Sequence, residues 1–225
     1  MLTKTKIMKK YILILTLLIF CACKETRIDN ILYFAEAQPI NDSQLKKIPT
    51  KFIGTYFIKD SVFLNIDKNM IAYQYDYNVK IHENQLDSLN DEIIFRENKF
   101  FLKSTNEVLK NKKLGDSISL VLKYIDTIFA FSKDQQAKRI NGKLILSTKD
   151  SLYWRIKILT LDKNTIKIQE LYAGKDLQIL DSLTKIKAKQ LKDSNFVVKP
   201  TRSEFAKILK VKNIGTSSSF VKVNR

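Results

Sequence analysis

The chain has 225 residues, 44% of them hydrophobic and 28% charged, with 40 Lys and Arg against 23 Asp and Glu, two Cys and one His. Five Gly and three Pro are too few for a linker-rich or disordered chain, and abundant Ile, Leu, Phe and Tyr imply a packed core. A single histidine excludes a two-His zinc site or a HExxH helix within one chain, and the isolated glycines exclude Walker and dinucleotide loops.

In chain order, Lys4, Lys6, Lys9 and Lys10 form a positive start without acids, and Tyr11 to Phe20 form a ten-residue apolar run. A spanning helix needs roughly 20 apolar residues, so this run reads as a processed export signal. Ala22-Cys23 places a small residue before a cysteine, as a lipoprotein peptidase requires. Cys21 is the poorer candidate because Phe20 precedes it. Cys23 is therefore the expected lipidation site, with residues 1–22 as the signal; an ordinary secretory signal and an uncleaved anchor are the rivals. Cleavage takes the four signal lysines and lowers the net charge from +17 to +13. Cys21 leaves with the signal and lipid occupies Cys23, so the folded part has no disulfide.

Residues 23–49 read as a lipidated tether ending in a short helix. Asp42 can cap one or two helical turns, Leu45 and Ile48 share a face, and Pro49 ends them. From Lys51 the pattern becomes strand-like. Alternation marks Val62 to Asp67 and Ile71 to His82, and similar runs recur at Glu92 to Phe95, Lys99 to Lys103, Ser117 to Lys123 and Thr127 to Phe131. Lys143 to Ser147, Leu152 to Leu161 and Thr165 to Leu171 continue it. The expected fold is mainly β, an antiparallel sandwich or two β-meander lobes over residues 50–133 and 134–225.

Two features support hairpins. Asp-Ser occurs at 42, 60, 87, 116, 150, 181 and 193, where about one would arise at random; its side chains can close turns on backbone N–H groups. A calcium array would need denser acids and turn glycines, and only Gly115 lies near one of these pairs. The order Gly54, Asp60-Ser61, Asp67-Lys-Asn69 repeats as Gly142, Asp150-Ser151, Asp162-Lys-Asn164, with Asp-Lys-Asn read as a hairpin turn in both copies. Thr201-Arg-Ser-Glu204 after Pro200 is a capping box that opens a C-terminal helix to about Val211. Asp176 to Lys189 spaces Leu177, Leu180 and Leu183 for another helix, although alternation from Thr184 to Ala188 competes. Phe220 to Val223 reads as a last strand.

Ala35 to Ile58 with its Phe52-x-Gly54-x-Tyr56 strand, Asp116 to Gly142, and the Pro200-Thr-x-x-x-Phe205 helix together resemble small envelope lipoproteins of flavobacteria and other Bacteroidetes. The resemblance implies a β-rich architecture and an envelope address, and brings no activity with it.

Chemistry is sparse. His82 reads as a partly exposed strand residue, no Gly-x-Ser-x-Gly elbow exists, and carboxylate pairs such as Asp76 with Glu83 or Glu92 lack a motif. Export turns the positive charge away from nucleic acid. The expectation is a membrane-anchored envelope lipoprotein, at the outer membrane in preference to the inner, working without cofactor as a structural or protein-interaction module. The alternative is a binding module for an anionic envelope polymer or glycan. Its contacts would be Tyr73, Tyr75 and Tyr77 on one strand face and Lys185, Lys187 and Lys189 in the densest basic stretch.

Overall fold

Alternating buried and exposed side chains organise most of the chain into strands, as their period of two requires. The structure is a computed structural model that describes residues 30–59, 62–88, 92–97, 99–183, 185–192 and 194–223. The signal segment, Cys23, Asp60, Ser61 and Asp193 lie outside the described residues. The strands are β1 (Leu32–Phe34), β2 (Gly54–Lys59), β3 (Val62–Ile66), β4 (Met70–His82), β5 (Ile93–Arg96), β6 (Lys99–Leu102), β7 (Glu107–Leu109) and β8 (Asn111–Leu114). They continue as β9 (Ser117–Ala130), β10 (Gln135–Ile140), β11 (Lys143–Asp150), β12 (Tyr153–Asp162), β13 (Thr165–Glu170), β14 (Lys189–Gln190), β15 (Phe196–Val198) and β16 (Thr216–Lys222). Two helices interrupt the last stretch, α1 (Lys175–Leu183) and α2 (Arg202–Ile208). The mainly β expectation is met.

Thirteen strands form one sheet in the order β14-β15-β1-β12-β13-β16-β2-β3-β4-β9-β8, with β11 also on β12 and β10 on β11. All its ladders are antiparallel except β1 with β15. The β16–β2 ladder, pairing Val221 with Phe57, joins the two meanders. Their inner faces share one core, in which Tyr56, Leu64, Ile71 and Phe129 meet Leu144, Leu159, Ile166 and Phe220. The sheet therefore curls around this core in a sandwich-like arrangement.

Both Asp-Lys-Asn segments turn two-residue hairpins, between β3 and β4 and between β12 and β13. In the first, Asp67 Oδ1 accepts from the N–H groups of Asn69 and Met70 at 2.6 and 2.8 Å. The Asp-Ser pairs at 116 and 150 also lie at hairpin turns, whereas Asp181-Ser182 is helical. Tyr56 is fully buried and its hydroxyl donates to the Phe52 carbonyl at 3.0 Å, which accounts physically for the Phe-x-Gly-x-Tyr pattern.

Three expectations need correction. Residues 30–34 are part of the fold and not of a tether: β1 lies between β15 and β12, and Phe34 is fully buried edge-on to Phe205 at 5.9 Å. No helix forms over residues 42–48. Two of their backbone donors bond to distant parts of the chain instead, Leu45 N to Ala137 O on β10 and Ile48 N to Lys68 O in the β3–β4 turn, both at 2.8 Å. A single 3-10 turn, Thr50–Phe52, follows Pro49. Finally, Ser117 to Lys123 and Thr127 to Phe131 are one strand, β9, paired with β4 from Met70–Ala130 to His82–Ser117.

This β4–β9 ribbon is about 45 Å long at ~3.3 Å per residue. Its far end carries a second, three-stranded sheet in the order β5-β6-β7. Ile93, Phe100 and Leu109 of that sheet pack on Ile81 and Leu120 of the ribbon as a small distal core.

At the opposite end of the strand order, α1 and α2 cover β1, β11, β12 and β15. Phe205, Ile208 and Leu180 of the helices pack there on Leu32, Ile145 and Ile158. The predicted capping box is complete: Thr201 Oγ1 accepts from Glu204 N at 3.3 Å and Thr201 N donates to Glu204 Oε2 at 2.9 Å. The bonds that Thr201 N, and then Thr201 Oγ1, donate to Glu204 Oε2 hold the Glu204 carboxyl below its usual range. Buried Asp176 clamps this cap, accepting from Tyr172 N at 2.8 Å and Gly215 N at 2.7 Å.

Candidate functional site

Alternation along β12 sends Ile156 and Ile158 to the helices, and Leu159 and Leu161 to the central core. Arg155 and Lys157 share the parity of Leu159, so they extend the core-facing side past its apolar part. Glu170 does the same on β13, beyond Ile166 and Ile168. With Gln135, Thr148, Thr127 and Tyr172 these residues line a cleft of about 240 Å³ between β9–β10 and β12–β13.

Glu170 is the hub of the cleft. Lys157 Nζ donates to Oε1, Arg155 Nη2 lies 3.8 Å from Oε2, and the Tyr172 hydroxyl donates to Oε2 at 3.3 Å. Burial, and then the Glu170 charge, raise the Tyr172 hydroxyl above its ordinary pKa. Tyr73 stacks on Phe220 at 5.8 Å. Burial first, then the charge of Glu170, pushes its hydroxyl up to about 12. Two cations around one carboxylate leave one positive charge, suited to holding a small anionic group.

The Tyr73 shift has a consequence for stability. Between pH 10 and 12 the folded state retains a proton that the unfolded chain has lost, so stability is intact below pH 10 and falls as pH rises toward 12. The Tyr73→Phe variant is expected to escape that fall, by of order 1–2 kcal/mol after screening of a partly exposed group. Urea midpoints of both proteins at pH 8 and pH 11.5 measure it; equal alkaline losses would refute it.

The expected aromatic row lies on one face of β4, whose residues Ile71 and Ile81 reach the central and distal cores. Tyr73 is packed, whereas Tyr75 pairs across the ladder with Tyr124 at 6.0 Å between ring centroids. Tyr77 and Tyr124 stand 47% and 59% exposed. Asp126 is the ladder partner of Tyr73 on this face. The expected lysines are elsewhere: Lys185 and Lys187 follow α1 and Lys189 is in β14, at the other end of the strand order. The structure does not bring these tyrosines and lysines together.

The opposite face of the same strands carries an apolar row. Register aligns Val221 with Phe57, Phe57 with Phe63, Phe63 with Gln74 and Gln74 with Ile125 across five strands. Phe57, Val221 and Ile125 are 44%, 46% and 59% exposed. A polar ladder borders the row: Thr55 donates to Asn65 at 2.9 Å, Asn65 to Gln74 at 3.0 Å and Gln74 to Asp76 at 2.7 Å.

His82 sits at the exposed end of β4 with Nε2 2.9 Å from Asp116 Oδ2, while Ser117 Oγ donates to Asp116 Oδ1 at 3.0 Å. These bonds, Ser117 first, hold the Asp116 carboxyl below its usual range. The carboxylate stands between the other two groups, so the imidazole does not touch the hydroxyl and this trio does not activate Ser117. Among the described residues no three His, Cys, Asp or Glu side chains gather as a metal site, and no helix is long and apolar enough to cross a membrane.

Sequence reasoning missed the Glu170 cleft because its residues come from five strands, β9 to β13, and the segment after β13. The available signal was Arg155 and Lys157, two residues apart on the strand face that continues as Leu159 and Leu161.

Fold and surfaces define a mainly β protein with a curled sheet, a helical cap and a distal lobe. No family model, curated protein or solved structure matches the chain.

Proposed function

We propose that the protein is an envelope lipoprotein, held at the outer membrane through lipid on Cys23, whose folded body is a non-catalytic protein-interaction module. The observation that carries this reading is the row of Val221, Phe57, Phe63 and Ile125 on the outer face of the sheet. Exposed aromatic and branched side chains bordered by polar groups are the usual make-up of a docking surface. The occupant is a second envelope protein that presents an apolar patch edged by hydrogen-bonding groups, matched to the Thr55, Asn65, Gln74 and Asp76 ladder.

Crosslinking in intact cells, with identification and purification of the captured protein, tests this. A Phe57→Ser/Ile125→Ser double variant is expected to weaken the purified pair about a hundredfold, roughly tenfold per anchor, with an unchanged melting temperature. Unchanged affinity would overturn the docking surface. Mass spectrometry of the mature N-terminal peptide tests the anchor, and an unmodified Cys23 would sink it.

A second reading, glycan binding, is supported by Tyr75, Tyr77 and Tyr124, which offer an exposed aromatic platform. Asp126 on the same face suits a neutral sugar better than an anionic one. Polysaccharide that co-purifies with the protein and is lost in a Tyr77→Ala/Tyr124→Ala variant would favour it.

A further inference from the structure

We infer that the cap formed by α1, residues 185–192 and α2 rests on an anionic phospholipid surface, with Lys185, Lys187 and Lys189 on the headgroups. This orientation rests on the lipid anchor at Cys23 proposed above, and extends it from where the protein is held to which face is held down.

Charge is the first support. Residues 175–225 contain twelve Lys and Arg against four Asp and Glu, whereas residues 23–174 contain 24 against 19. Within the cap the excess is concentrated in residues 185–192, which hold four lysines and no acid.

Local geometry is the second. Ile186 is buried in the core of the cap and Ala188 packs against it, so alternation turns Lys185, Lys187 and Lys189 outward as a comb. None of the three forms an ion pair among the described residues. Beside them a shallow groove is lined by Leu177, Ile186, Ala188 and Phe196 together with Lys185, Lys187 and one carboxylate, Asp181. An apolar lining with two lysines against one carboxylate matches the boundary between acyl chains and headgroups, where a lysine lays its stem on apolar surface and reaches a phosphate with its amine.

Chain geometry is the third. The chain enters the fold inside this cap: Ile31 N donates to Asn195 Oδ1 at 2.7 Å, Phe196 N donates to Ile31 O at 3.0 Å, and β1 pairs with β15, the partner of β14. Seven residue steps separate Cys23 from Asn30 and span at most about 25 Å. An anchor so short keeps the cap near the bilayer. Lipid supplies the retention, and the lysines select which way the body faces.

The test uses the mature lipidated protein in vesicles of phosphatidylglycerol and phosphatidylcholine, read by hydrogen exchange. Amides of residues 185–192 are expected to be protected relative to phosphatidylcholine vesicles, and those of β8 to exchange equally in both. Lysines near such a surface contribute roughly fivefold each, so a Lys185→Gln/Lys187→Gln/Lys189→Gln variant loses about a hundredfold of the orientational bias and with it the protection. A charge-matched Lys110→Gln/Lys112→Gln/Lys113→Gln variant keeps it. Equal behaviour of the two variants, or no protection in the wild type, would overturn the orientation while leaving the anchor standing. Should Cys23 prove unmodified, the anchor fails, and cosedimentation of the same proteins with phosphatidylglycerol vesicles decides the cap. A drop of about a hundredfold in the cap variant supports it; no drop, or binding to soluble heparin alone, overturns it.

Discussion

Replacing Phe34 by Ala is expected to destabilise the protein by about 3–5 kcal/mol, the usual loss for a large aromatic removed from a closed site. Phe34 is fully buried, its ring meets Phe205 edge-on, and its strand pairs with β15 on one side and β12 on the other. The alanine leaves a void beneath α2 that the ladders on both sides prevent from collapsing. Urea unfolding followed by tryptophan fluorescence is a direct measurement, since Trp154 is the residue opposite Phe34 on β12. A fall in midpoint of roughly 2 M follows from an m-value of ~2 kcal/mol/M. If residues 30–34 were a tether, the change would stay within about 0.5 kcal/mol, as for ordinary surface positions.

Gly215→Ala is the second large effect. Gly215 has φ +71°, and a Cβ there would lie 2.2 Å from the Glu170 carbonyl oxygen, a backbone atom that cannot swing away. Relief requires β16 to move off β13, where Thr216 pairs with Glu170, and it would also loosen the bond from Gly215 N to Asp176. The cost is expected to exceed ~3 kcal/mol, combining left-handed strain of 1–2 kcal/mol with the disrupted ladder. Gly115→Ala is the control, because Gly115 has a similar φ of +64° and no atom within 4 Å of the added Cβ. It should cost about 1 kcal/mol. Thermal melts of the two variants separate conformational strain from collision; equal shifts would mean that the close approach at Gly215 does not matter.

What could be read in the sequence was what short-range chemistry decides. Alternation from Ile71 to His82, the Asp-Lys-Asn turns and the Thr201–Glu204 capping box each depend on residues within a few positions of one another. Those elements form where expected. The errors occurred where distant partners decide. Leu32 to Phe34 is too short to show a period, and becomes a strand because Phe196 to Val198 lies alongside it. Residues 42–48 have a helical pattern, yet Asp42 pairs with Arg202, and the donors of Leu45 and Ile48 are taken by β10 and by the β3–β4 turn. Lys123 and Asp126 interrupt the apolar run of β9 without a Gly or Pro to turn it, and pairing with β4 carries the strand through.

The candidate surfaces divide in the same way. Tyr73, Tyr75 and Tyr77 were legible as one face because a strand repeats every two residues. That Tyr73 would be consumed by packing on Phe220, and Tyr75 matched with Tyr124, depends on ladders closed over 50 to 150 positions of chain. The cleft around Glu170 and the row from Val221 to Ile125 exist only once the two meanders share a sheet.

The position of β1 sets an order of events. Phe34 pairs with Trp154 and Leu32 with Phe196, 120 and 164 positions later, so the first strand among the described residues is flanked on both sides only when nearly the whole chain has followed it. Local hairpins such as β3–β4 and β12–β13 close early, and contacts of such long sequence separation come late. The N-terminal strand is therefore made first and docked last, and its arrival seals the cap under α2. Until that moment Phe34 and the groove it fills are open to a chaperone or to misassembly with another copy.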